Sequence, residues 1–178
     1  MLSRSVFNQH KDEFYKFYKD SFNFLDIKPN VTHRYLKSLE DQGKLNAIVT
    51  QNIDGLHEKA VNKNIYLLHG TIYKNHCMMR DKEYDAHYVF NLKILYLDVV
   101  LYEERSDEDI VNGAIDTIRN PDMLSIGDTS LAVYPAASFI KYFRGKYLVI
   151  INKDVTAYDR NANLVINDKL GNKFGKLK

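Results

Sequence analysis

Tryptophan is missing from the 178-residue sequence, and cysteine occurs once, at Cys77. The missing tryptophan carries no message. The lone cysteine excludes an internal disulfide and fits a reducing compartment. Apolar runs are short as well: none approaches the roughly 18 to 20 residues that cross a bilayer, and the first residues lack a signal-peptide core. The expectation is a cytoplasmic protein with no membrane partner. Charge bias is lacking too. The 25 basic and 23 acidic residues leave a net charge of +2, too close to balance to predict a nucleic-acid partner. No internal repeat or low-complexity linker interrupts the chain.

What is present is an ordinary globular composition, 45% hydrophobic and 27% charged, with 13 Tyr and 9 Phe as large packing groups. A chain of this length suits one domain that buries roughly 70% of its unfolded surface. Residues 8 to 20 put Phe14, Phe17 and Tyr18 on one helical face. Asn30 is placed to cap a second helix, with Tyr35, Leu36 and Leu39 inward and Gly43 just past its end. A strand at 47 to 50, a helical turn near 56 to 60 and a strand at 65 to 68 follow. From 71 to 97 no periodicity emerges. Ser106, with Asp109 three residues on, reads as a capping box for a helix striped by Ile110, Val111, Ala114, Ile115 and Ile118, which Pro121 stops. Strands at 123 to 126, 147 to 151 and 164 to 166 surround a helix near 136 to 143. Strands alternating with helices predict an α/β fold, a Rossmann-like parallel sheet with helices on both faces.

Chemistry concentrates where two of these strands end. Ala47-Ile48-Val49 runs into Thr50, Gln51, Asn52, Asp54 and Gly55, and the run from Ile65 to Leu68 runs into His69-Gly70. Ligands of open α/β sheets bind just beyond the carboxyl ends of the strands, so these groups read as a polar pocket floor. Taken alone, the residues leave two readings open. Gln51, Asn52 and Asp54 also make a simple turn, and a histidine that ends a strand is more often structural than catalytic. Thr129 and Ser130, between a strand and a helix, either cap that helix or meet a phosphate. Asn152 ends a strand, with a turn as its plain reading.

The motifs Q-N-I-D-G-L-H, L-H-G, D-V-V-L-Y-E-E, G-x-T-S-L-x-V-Y-P-A-A and I-N-K, in that order, resemble the sirtuin family, the NAD-dependent protein deacylases. The resemblance runs from about Phe7 to the C-terminus. It implies a single sirtuin-type Rossmann domain over residues 1 to 178, with residues 71 to 97 an inserted remnant of the family's small zinc module. It implies NAD as cosubstrate and an acylated-lysine protein or peptide as partner. His69 is then the general base that draws a proton from the cofactor's ribose, a role that suits an imidazole near neutral pH. Asn52 and Asp54, with Gln51, orient the nicotinamide and ribose, and Gly127, Thr129, Ser130 and Asn152 hold the remainder of the cofactor. Val99, Val100, Leu101, Tyr102 and Glu103 take the peptide as an added strand, flanked by Leu131 and Val133.

Three departures from the family pattern qualify those expectations. Asp128 stands where the family has glycine, which makes a left-handed backbone costlier and puts a carboxylate near a pyrophosphate. The family's zinc needs four thiolate or imidazole ligands. Cys77 is the one remaining family ligand position, Arg80 occupies the place of its partner, and His76 and His87 do not complete a set, so no structural zinc is expected. The family's first strand, its G-A-G-x-S loop and its G-I-P-D-F-R segment do not occur in these 178 residues. A sheet lacking that central strand must leave backbone groups unpaired or close up. The alternatives to a deacylase are accordingly a noncatalytic remnant or peptide-binding module, and a protein ADP-ribosyltransferase.

Overall fold

The structure, a computed structural model, describes residues 1–22, 26–77, 83–84 and 95–177. The chain divides into two compact units. The first comprises Met1–Lys28, Thr50–Leu56 and Leu67–Asp107, the second Pro29–Val49, His57–Tyr66 and Glu108–Lys178. Two short strands, β1 (Ile48–Thr50) and β2 (Ile65–Leu67), pair with each other and carry the chain from one unit into the other.

Aromatic packing organises the first unit. The single helix predicted over 8 to 20 is two helices, α1 (Arg4–Gln9) and α2 (Lys11–Ser21). His10 between them has φ −132 and ψ 54, outside the helical region. Asp12 and Glu13 lie in the first turn of α2, where carboxylates favour a helix start. The break brings the Phe7 ring edge-on to Phe14, centroids 5.1 Å apart at 87°, a geometry that adds about 0.5–1.5 kcal/mol to the burial itself. Phe14, Tyr15 and Tyr18 are buried while Phe17 is only partly so, which corrects the predicted stripe by one position. Burial, with Tyr15 alongside, pushes the Tyr18 phenol well above its ordinary pKa. Ile72, Val99 and Leu101 complete this core.

Ile72 and Val99 lie on β3 (Gly70–Cys77) and β5 (Leu95–Val99), an antiparallel pair with β4 (Glu83–Tyr84) along the other edge of β3. These strands occupy a region whose sequence shows no periodicity. The cause is a slip in register: Gly70 opposes Val99 but Asn75 opposes Leu97, so the alternation of faces is broken part-way. Residues 78–82 and 85–94, with Arg80 and His87 among them, lie outside the described residues.

In the second unit α3 (Val31–Asp41) begins as predicted. Asn30 Oδ1 accepts the Thr32 N–H at 2.8 Å, and His33 Nδ1 accepts the Asn30 N–H at 3.3 Å, which closes a capping box. Thr32 and His33 are its buried residues, and the His33 ring packs 4.7 Å from that of His57 on α4 (Leu56–Lys59). The helix α5 (Glu108–Arg119) buries Ala114 and Ile118. It starts two residues beyond Ser106, so Glu108 and Asp109 are the carboxylates of its first turn. The strands β6 (Met123–Gly127), β7 (Tyr147–Ile151) and β8 (Leu164–Ile166) form a parallel sheet in the order β6-β7-β8. The predicted helix over 136 to 143 is α6 (Ala136–Phe139) continued by a tighter turn over Ile140–Tyr142. A further helix, α7 (Leu170–Phe174), had no periodic signal; its Leu170 side chain fills the space beside Gly127, 2.8 Å from where a Cβ would sit.

Parallel strands flanked by helices make the Rossmann-like class of the sequence reading. The departure from a complete sheet is visible in the pairing: β1-β2 and β6-β7-β8 are separate sheets, with no ladder joining them among the described residues. Among the described residues no strand pairs with the second edge of β6, and one face of β6 is exposed, Met123 at 55%. Among the described residues no helix is long and apolar enough to cross a membrane.

Candidate functional site

In the first unit, three segments meet at His69. Its Nδ1 lies 3.2 Å from the main-chain oxygen of Gln51, and its own main-chain oxygen accepts the Val100 N–H at 2.9 Å. A carbonyl oxygen only accepts, so Nδ1 carries the proton and Nε2 keeps its lone pair. Among the described residues nothing hydrogen-bonds that second nitrogen. The ring is half-buried, and burial lowers its pKa, opposed in part by the Gln51 carbonyl. Gly70 follows at φ +71, and a Cβ there would stand 1.8 Å from the Asp98 oxygen. Only glycine permits this close approach of β3 to β5 beside His69.

The neighbouring polar residues are placed less uniformly. Asn52 donates its main-chain N–H to Thr50 Oγ1 at 3.0 Å, and its side chain is exposed. Asp54 Oδ1 accepts the Leu56 N–H at 3.0 Å and so caps α4. The plain turn reading thus describes the Asp54 carboxylate here, while the Asn52 amide and His69 Nε2 remain open to a ligand.

Beyond Val100 the chain makes a tight turn. The Glu104 N–H bonds the Leu101 oxygen at 3.1 Å, the Leu101 N–H bonds Glu104 Oε2 at 2.8 Å, and Glu103 has φ +76. The first residues of the chain clasp this turn. Tyr102 donates to the Leu2 oxygen at 2.9 Å and accepts from the Arg4 N–H at 3.1 Å, a parallel bridge centred on Ser3. Arg4 Nε donates to Glu104 Oε1 at 2.6 Å, and Ser5 donates its N–H and its hydroxyl to the Glu103 carboxylate at 2.9 Å each. Sequence reasoning missed Arg4 and Ser5, because the partners lie 98 to 100 positions apart and no local pattern links them.

The other predicted cofactor residues belong to the second unit, at the carboxyl ends of β6 and β7. Asp128 has φ +52 and donates its N–H to the Ile151 oxygen at 3.1 Å. Asn152 Oδ1 accepts the Thr129 N–H at 3.1 Å, while its amide donates to the Asp154 oxygen at 2.8 Å. Thr129 Oγ1 accepts the Leu131 N–H at 3.2 Å and Ser130 Oγ that of Ala132 at 3.4 Å, so both hydroxyls support the local turn. Gly127 is exposed, as is Val133, whereas Leu131 is buried at φ +52. A cavity of about 410 Å³ opens at the other end of β1, lined by Asn46, Ala47, Tyr66, Asp116, Thr117 and Pro121 among others. None of the predicted site residues lines it.

Residues 1–135 match the Sir2 family. The chain belongs to the sirtuins. It is 47% identical to the NAD-dependent protein deacetylase of Clostridium acetobutylicum, covering 96% of this chain and 74% of that protein. It is likewise 47% identical to that of Clostridium perfringens, covering 99% and 77%. Among solved structures it is similar to Sir2 with a p53 peptide and NAD+, at TM-score 0.93 and 28% identity over 99% of this chain and 80% of that one. Sir2Tm bound to a propionylated peptide matches at TM-score 0.93 and 29% identity, over 99% and 81%.

The four-cysteine set that the resemblance implies for structural zinc does not occur in these 178 residues. Cys77 is the single thiol, and among the described residues no group of three or more His, Cys, Asp or Glu could hold a metal ion. A closed tetrahedral site needs four ligands.

Proposed function

We propose that this sirtuin removes acyl groups from lysine side chains, with NAD as cosubstrate, and that His69 is its general base. The observation that carries the reading is the tautomer of His69: the Gln51 carbonyl fixes the proton on Nδ1 and leaves Nε2 free to take one. NAD supplies the ribose carbon that the acyl oxygen attacks as nicotinamide leaves. His69 Nε2 then takes a proton from a ribose hydroxyl, a water adds to the acyl carbon as its bond to the lysine nitrogen breaks, and the products are free lysine, nicotinamide and O-acetyl-ADP-ribose. Asn52, with its exposed amide, orients the carboxamide or ribose beside it. Gln51 and Asp54 shape the loop, and Gly127, Thr129, Ser130 and Asn152 receive the rest of the cofactor. The peptide runs along Val99 to Glu103 of the first unit. The site works without zinc, in a cytoplasmic compartment, with no nucleic acid or membrane as partner.

The deciding experiment measures nicotinamide release from NAD by the purified chain with an acetyl-lysine peptide. Release that requires the peptide and falls at least about 100-fold in His69→Ala supports the reading. A cooperatively melting chain that releases none favours the second reading, a noncatalytic peptide-binding module. What supports that alternative is the local use of Thr129 and Ser130 hydroxyls together with the second edge of β6, which pairs with no strand among the described residues.

A further inference from the structure

The clasp between residues 2–5 and the 101–104 turn has a consequence for peptide binding. Tyr102 and Glu103 are the middle residues of the turn closed by the Glu104 N–H on the Leu101 oxygen, and the main-chain groups of residues 101–103 are used unequally. Tyr102 uses both of its groups on Leu2 and Arg4, and Leu101 uses both of its own on Glu104. Glu103 differs: its main-chain N–H and C=O have no partner among the described residues. It presents one open pairing position for an extended chain.

That position is held by side chains rather than by the turn alone. A non-glycine residue at φ +76 is unfavourable and persists only where its surroundings fix it. Ser5 fixes the Glu103 carboxylate with two hydrogen bonds. Arg4 fixes Glu104 through Oε1, so that Oε2 stays on the Leu101 N–H and the turn remains closed. The Arg4 and Glu104 side chains are 17% and 24% exposed, and the guanidinium also lies 4.8 Å from the Phe7 ring centroid, which ties the clasp to the aromatic core.

We propose that Arg4 is a positioning residue for the acyl-lysine peptide: by holding Glu104 across the turn it keeps the Glu103 backbone set for pairing with the incoming strand. Ser5 acts in the same direction through Glu103. The inference rests on the reading of residues 99 to 103 as the peptide-binding strand.

The test is the affinity of the full chain for a fluorescein-labelled acetyl-lysine peptide, read by anisotropy well below the melting temperature. Arg4→Ala weakens binding about tenfold, and Arg4→Lys, which keeps the charge, recovers part of the loss. A merely structural Arg4 would lower the melting temperature and leave the peptide Kd of the folded variant unchanged, which overturns the proposal while the peptide strand stands. If Arg4→Ala does not fold, Ser5→Ala decides: a threefold or greater loss of affinity supports the clasp, and wild-type affinity overturns it. A wild-type chain that binds no acetyl-lysine peptide removes the peptide-strand reading itself, and the role of Arg4 with it.

Discussion

His69 Nδ1 and the Gln51 main-chain oxygen stand 3.2 Å apart, so one hydrogen bond sets both the tautomer and the orientation of the proposed base. The pKa of His69 is lowered from its ordinary 6.5, chiefly by burial. The neutral form then dominates at pH 7, and the acidic limb of kcat/KM against pH has its midpoint below 6.5. Stability follows with a defined sign. As pH falls through 6.5 the unfolded chain takes up this proton first, so the His69 contribution to folding is present above 6.5 and is lost as pH falls through the lower folded value. A limb centred above 6.5 that disappears in His69→Gln would refute the lowered pKa.

Gly70 decides whether His69 is held at all. Its φ of +71 and the 1.8 Å between a Cβ and the Asp98 oxygen leave no room for any side chain. Gly70→Ala must push β3 from β5 next to the Val100–His69 hydrogen bond. We expect a loss of more than about 3 kcal/mol in urea unfolding, in the range of severe backbone clashes. Nicotinamide release should fall even in the fraction that remains folded. A variant with wild-type stability would show that the strands separate there without cost.

Much of this was legible in the chain itself, for identifiable reasons. The bounds of β7 and β8 follow from short apolar runs closed by polar residues, and the start of α3 follows from the capping chemistry of Asn30. Two strands that both end in polar groups are legible as well, whereas the hydrogen bond from His69 to the Gln51 main chain is seen in the structure alone. Where the reading failed, a non-local cause operates. His10 divides one amphipathic pattern into two helices and so buries Tyr15 in place of Phe17. The register slip between Gly70 and Asn75 hides β3 from any test of alternation. The clasp of Arg4 and Ser5 on Glu104 and Glu103 depends wholly on tertiary contact.

Asp128 and Val61 allow the cost of a strained backbone to be separated from the cost of a misplaced charge. Asp128 has φ +52 and Val61 φ +65, a region in which a non-glycine residue costs about 1 to 2 kcal/mol. Val61 is 64% exposed and gives up little packing, so Val61→Gly should stabilise the chain by about 1 kcal/mol in urea unfolding and leave NAD affinity unchanged. Asp128→Gly relieves the same kind of strain and also removes a carboxylate from the end of β6, where Thr129 and Asn152 are proposed to receive the cofactor. A unit charge near a pyrophosphate at the protein surface is worth about 1 kcal/mol after screening, so this variant should bind NAD about fivefold more tightly in calorimetry. Stabilisation by both variants with tighter NAD binding by Asp128→Gly alone is the expected pattern. Equal NAD affinity in all three chains would mean that the Asp128 carboxylate points away from the cofactor, and that its effect on this sirtuin is confined to the backbone.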